Sequence, residues 1–124
     1  MNNTEASPEN FGVINPQAVE TLTRNIEDIL RIAIEHTPEH AALIVYDKQC
    51  DLARALASAY WHCLPAARFI DFDAVTPEAV HETFKPLAPS DLVVLIQSTS
   101  FRLEAFRIRV ELFKRSLKVI EHVH

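Results

Sequence analysis

Glycine is nearly missing from this 124-residue chain: Gly12 is the only one. Phosphate-binding loops built on glycine need several, because the backbone must turn with positive φ and come close to the ligand without a Cβ in the way. A Walker-type loop and a dinucleotide fingerprint are therefore excluded, and no serine sits in the glycine turn of a nucleophile elbow. Cysteine is almost as scarce. Cys50 and Cys63 flank a predicted helix, about 20 Å apart at 1.5 Å per residue, which is too far for a disulfide. With no identifiable basic activator, both read as packing residues of a reduced, cytoplasmic protein. No apolar run is long enough to cross a membrane, and the opening MNNTEASPEN has no segment to insert, so neither a span nor a signal peptide is expected. Excess positive charge is missing too. Lys and Arg number 12 against 17 Asp and Glu, for a net charge of −5, which leaves no bulk basic field for nucleic acid.

What is present is the composition of a single soluble domain, 48% apolar and 23% charged, and long enough to bury a core without staples. The organising stretch is Asp91 to Arg102, DLVVLIQSTSFR. Leu92 to Ile96 is an unbroken apolar run, as expected of a strand covered on both faces. It passes through Gln97-Ser98-Thr99-Ser100 directly into a helical pattern, which is half of a βαβ unit.

The other elements fall around it. Residues 1–13 read as a polar, patternless tail and 14–124 as one α/β domain. Asn15-Pro16 opens a helix with Val19, Leu22, Ile26, Ile29, Leu30 and Ala33 on one stripe. Strands are predicted at 41–46 and 67–72. Between them lies a helix capped by Asp51, with Leu52, Ala55, Leu56, Ala59, Tyr60 and Cys63 facing inward. Thr76-Pro77 begins a shorter helix buried through Val80, Phe84 and Leu87. After Ser100 a helix with Leu103, Phe106, Val110 and Phe113 inward, and a Glu111–Arg115 pair on its surface, leads to a last strand at 117–123. Strand centres recur every 24 to 26 residues, the length of a βα unit. The expectation is a three-layer α/β fold with a four-stranded parallel sheet in the order 2-1-3-4 and helices on both faces.

The last strand carries Lys118, Glu121 and His122, so it is expected at an edge. Exposed edges invite pairing. A second subunit or a further domain is expected to cover this one, with residue 124 not the natural end of the protein.

Ligands of open parallel sheets gather beyond the carboxyl ends of the strands. Three sites compete there with simpler explanations. Ser98, Thr99 and Ser100 at a helix start, with Arg102 one turn in, can hold an anion, or Ser100 can simply cap the helix. His122 and His124, on one face of a strand end, can ligate zinc with Asp47 or Asp73 completing the set, or can face solvent. Asp71 and Asp73 can act as paired carboxylates or as caps and turn-makers before Thr76. Residues 101–124 hold 6 bases against 3 acids, and Arg107 and Arg109 lie beside the core stripe of that helix. They can dock an acidic partner, or form a solvated face. Trp61, on the polar side of its helix, marks either a contact surface or partial burial.

The run DLVVLIQSTSFRLEAFRIRVELFKRSLKVIEHVH, with ARFIDFDAVTPEAV before it, resembles the N-terminal region of aminopeptidase T (leucyl aminopeptidase)-type metallopeptidases, over about residues 40–124. The resemblance implies a Rossmann-like α/β domain in front of a later domain that carries paired divalent metal ions and their ligands. None of those ligands falls on a position of this chain, so it implies no catalytic residue and no cofactor here. It implies a hydrolase only for a longer protein, in which this part serves assembly, domain packing or shaping of the substrate cavity.

Overall fold

Helix and strand alternate in the computed structural model, which describes residues 11–97 and 111–123. Asn15 caps helix α1 (Pro16–Asp28), its side-chain oxygen accepting from Gln17 N at 2.9 Å and Ala18 N at 3.3 Å. The helix widens into a π turn, Ile29–Ala33, and stops where Glu35 enters the left-handed region at φ 56°. Strand β1 (Ala42–Tyr46), helix α2 (Asp51–Cys63), strand β2 (Arg68–Asp71), a 3-10 turn (Phe72–Ala74), helix α3 (Pro77–Phe84), strand β3 (Leu92–Gln97), a helical turn at 111–114 and strand β4 (Lys118–Val123) follow.

The sheet is parallel throughout, in the order β2-β1-β3-β4, as the strand spacing predicts. Side chains alternate between two cores, because successive residues of a strand point to opposite faces. Ile44, Tyr46, Phe69, Leu92, Val94 and Ile96 join α1 and α2 on one face. Leu43, Val45, Ile70, Val93 and Leu95 join Val80 and Phe84 of α3, with Leu112 and Leu117, on the other. Residues Leu92 to Ile96 are each 0% exposed. Full burial of one such side chain contributes about 1.5–3 kcal/mol, which makes β3 the centre of the fold's energetics.

Four expectations shift. Phe11, placed in the tail, is 0% exposed and sits edge-on to Tyr46 (5.4 Å between ring centres) and tilted against Phe69 (5.8 Å). The N-cap of α2 is Cys50, whose sulfur accepts from Ala53 N at 3.5 Å; Asp51 lies one residue inside and pairs with Arg54. Leu52 and Phe113 are exposed, at 46% and 60%. Helix α2 is buried from Ala53 to Tyr60 apart from Arg54, because it lies between the sheet and α1, so its contact is not a single stripe and does not reach back to Leu52. Lastly, Glu111 does not pair with Arg115. Its carboxylate lies 2.7 Å from His81 Nδ1. Arg115 instead donates to the carbonyls of Phe84 (2.6 Å), Lys85 (3.3 Å) and Leu87 (2.6 Å), at and just past the end of α3.

Candidate functional site

At the carboxyl edge, the polar residues that follow β1 and β2 are tied to one another. Asp47 is 0% exposed and its Oδ1 accepts from Gln49 N at 3.3 Å. Lys48 Nζ lies 3.5 Å from Asp71 Oδ2, and Gln49 Nε2 donates to Asp73 Oδ2 at 2.9 Å. Asp71 caps the 3-10 turn by accepting from Asp73 N at 3.0 Å. The Asp71 carboxylate therefore makes the turn before Thr76, which itself caps α3, while the Asp73 carboxylate ties that turn to Gln49.

His122 reaches α2, where its Nε2 lies 2.6 Å from Tyr60 Oη. Burial, with a smaller push from Cys63, holds the Tyr60 phenol above its ordinary value, so it stays protonated, and the imidazole tautomer sets which of the two groups donates. That nitrogen is engaged within the fold rather than offered to an ion. Asp47 directly follows β1 while His122 lies on β4, with β3 between those strands, a separation of about 10 Å at 4.8 Å per strand. Among the described residues no group of three or more His, Cys, Asp or Glu is placed to hold a metal ion. His124, Ser98, Thr99, Ser100, Arg102, Arg107 and Arg109 lie outside the described residues. Trp61 is half-buried against the apolar cluster of α1 and α2, edge-on to His62 at 5.3 Å, and its Nε1 is buried without a partner.

Cys63 ends α2 with its thiol donating to Thr23 O at 3.5 Å. Burial and the nearby Glu27 carboxylate push it up to about 11 from 9.0, so it is a neutral thiol near pH 7. Alkylation followed by peptide mass mapping at pH 7.5 is expected to modify Cys63 about a hundredfold more slowly than a free model thiol, since two pH units are two decades of thiolate. A rate matching the model thiol would show that the burial argument fails.

A large open cavity lies at the opposite edge of the sheet, where helices return to strands. It measures about 1140 Å³ and runs across the amino ends of β1 and β2. Its floor includes Leu30, Leu43, Leu64, Ala67 and Leu87, and its walls carry Pro38, Pro65 and Pro86. Sequence reasoning looked only to the carboxyl edge and missed this groove. The signal available was that four of the 7 prolines, Pro38, Pro65, Pro86 and Pro89, fall in helix-to-strand loops, which a parallel sheet collects on one edge.

One wall of the groove holds a polar cluster. Asp91, 8% exposed, accepts from Ala41 N at 3.0 Å and Ala88 N at 2.8 Å, with His40 Nδ1 3.7 Å from the same carboxylate. Lys118 Nζ donates to Ile34 O at 2.5 Å. His36 lies among them with its ring centre 6.4 Å from that of His40, and its Nδ1 is buried with no hydrogen-bond partner. Burial first, then the charges of His40 and Lys118, lower its basicity; Asp91 opposes them.

The arrangement defines a three-layer, Rossmann-like α/β domain with a tied carboxyl edge and an open groove at the amino edge. Comparison with family models, with curated proteins and with solved structures finds no match. No helix among the described residues is long and apolar enough to cross a membrane.

Proposed function

We propose that this chain is a non-catalytic α/β assembly domain, like the N-terminal region of the aminopeptidase-T-like metallopeptidases it resembles, and that β4 is the side on which assembly occurs. The observation that carries this reading is the place of β4: it ends the sheet as its outermost strand beside β3. The side chains of Lys118, Val119, Ile120 and Glu121 are only half-buried, with a charged residue at each end of the run. A parallel sheet normally has both faces and its interior strands covered, and an outer strand of six residues is a template for one more. The occupant is a second copy of the chain or the next domain of a longer one; in an aminopeptidase-like protein that domain would carry the divalent metal ions.

Two measurements together test it: the intact mass of the native gene product, and sedimentation of the 124-residue chain. A product well above 14.1 kDa is expected, or else a chain of that mass that self-associates. A native chain of 14.1 kDa that stays monomeric at several hundred micromolar overturns the proposal.

A second reading rests on the strand order. The connections from β1 and β3 leave in opposite directions, so the carboxyl ends of these two strands part at a switch point, the usual ligand crevice of such sheets. Ser98 to Arg102 follow β3 there in sequence, which favours a small anionic ligand. Saturable binding of inorganic phosphate, lost in a Ser98→Ala, Thr99→Ala double variant, is the expected result. Binding unchanged in that variant would reject this reading.

A further inference from the structure

The α1–β1 connection differs from the other described helix-to-strand loops in following a π turn, while a left-handed residue also stands at Ser90 before β3 and at Ser116 before β4. It leaves a π turn, passes through left-handed Glu35 and is pinned by a hydrogen bond from His36 N to Leu30 O at 2.8 Å. His40 N then bonds Thr37 O at 3.0 Å across Pro38. π turns and left-handed non-glycine residues are conformations that the surrounding structure must hold in place. The segment is held by Lys118 Nζ on Ile34 O, by the Asp91 carboxylate on Ala41 N and beside His40, and by His36, whose Nδ1 is buried and unpartnered, the one defect in that set.

We propose that residues 35–40 form an acid-released wall of the amino-edge groove, docked while His36 is neutral and undocked once it gains a proton. The groove is lined by these same residues on one side and by the α2–β2 loop on the other, so release widens its apolar floor. The inference does not rest on the assembly role of β4.

The charges around His36 explain why a proton is not tolerated in place. Lys118 at the start of β4 and His40 on its own loop face it with positive or protonatable groups. Among the described residues the carboxylate that faces it, Asp91 before β3, is committed to Ala41 N and Ala88 N. Glu35 and Glu39 on the same loop are exposed to solvent. A protonated half-buried His36 would add a cation beside Lys118 with no free acceptor for Nδ1–H at its buried edge, which disfavours the docked position. The sign follows from linkage. His36 binds its proton less readily when docked than in an open chain, so acid favours the undocked state, and docking is restored as the pH rises past the ordinary imidazole range.

Hydrogen exchange of the whole chain between pH 7.5 and 5, corrected for intrinsic rates, tests this, with the amides of His36, His40 and Ala41 as reporters. A several-fold rise confined to 36–41, with β1 and β3 protected throughout, is expected, and an apolar dye should bind more strongly over the same range. His36→Asn, which cannot take up a proton there, should abolish both effects. If that variant does not fold, the wild-type His36 ring is followed by NMR; its titration should coincide with the opening of the 36–41 amides. Acid opening of all amides together, exchange unchanged by pH, a response retained in His36→Asn, or a His36 titration without any amide change would each overturn the proposal.

Discussion

Replacing Phe11 with alanine is expected to cost about 3–5 kcal/mol, the usual range for emptying a buried aromatic site. Phe11 is fully buried and closes an aromatic group with Tyr46 of β1 and Phe69 of β2. Its loss would leave a cavity that the two strands, hydrogen-bonded to one another, cannot collapse to fill. Against a total stability of about 5–15 kcal/mol for a domain this size, the midpoint of urea unfolding should fall sharply. A change within about 0.5 kcal/mol, the size usual for surface positions, would mean that Phe11 is not part of the core. The glycine that follows serves the same contact. Gly12 has φ 86°, and a Cβ there would stand 2.9 Å from Arg54 Cδ, while Arg54 itself donates to Val13 O at 3.2 Å and Lys48 O at 2.8 Å. A chain with one glycine uses it where the backbone turns left-handed and a side chain would displace Arg54.

Asp91→Ala is the second large effect, with an expected loss of about 2–4 kcal/mol. Two backbone donors, Ala41 N and Ala88 N, would lose a charged acceptor in a nearly buried place, and hydrogen bonds to charged groups contribute about 1.5–3 kcal/mol each, with a further cost if the donors stay dry. The backbone of Asp91 also accepts from Lys118 N at 2.9 Å, while Leu92 N donates to Ala41 O at 2.9 Å, so this one residue gathers the amino ends of β1, β3 and β4. Asp91→Asn would not be a neutral swap, since an amide offers one acceptor oxygen instead of two; that variant should fall between wild type and Asp91→Ala. Chemical denaturation of the three proteins at pH 7 checks the order. Equal stability of all three would show that the carboxylate does not hold the strands.

The strands and their order were legible because their burial is written as composition. Leu92 to Ile96 is apolar at every position, and only an interior strand of a doubly covered sheet has that need. The cap at Asn15-Pro16 and the cap at Thr76-Pro77 were legible because their chemistry is local. Phe11 was not, since a single aromatic in a polar stretch has no period, and its partners lie more than thirty residues away. Leu52 and Phe113 were misread because a helical stripe fixes spacing but not which turns meet a neighbour. The groove was missed for a related reason: its walls are three loops that meet only after the sheet has formed. Nothing in the sequence singles out His36, because its unpartnered nitrogen exists only in the folded chain.

The parallel sheet also sets the order in which the molecule can be made. No two of its strands can be joined by a hairpin, and β1 finds β3 across fifty residues, Ala42 opposite Leu92. Such pairings form slowly, because a long loop must close before any contact repays it. During synthesis β3 emerges before β4, so the most apolar strand of the protein spends that interval as an open edge. The dangerous moment for this chain is therefore on the ribosome, between residues 97 and 118, when aggregation competes with the arrival of the last strand.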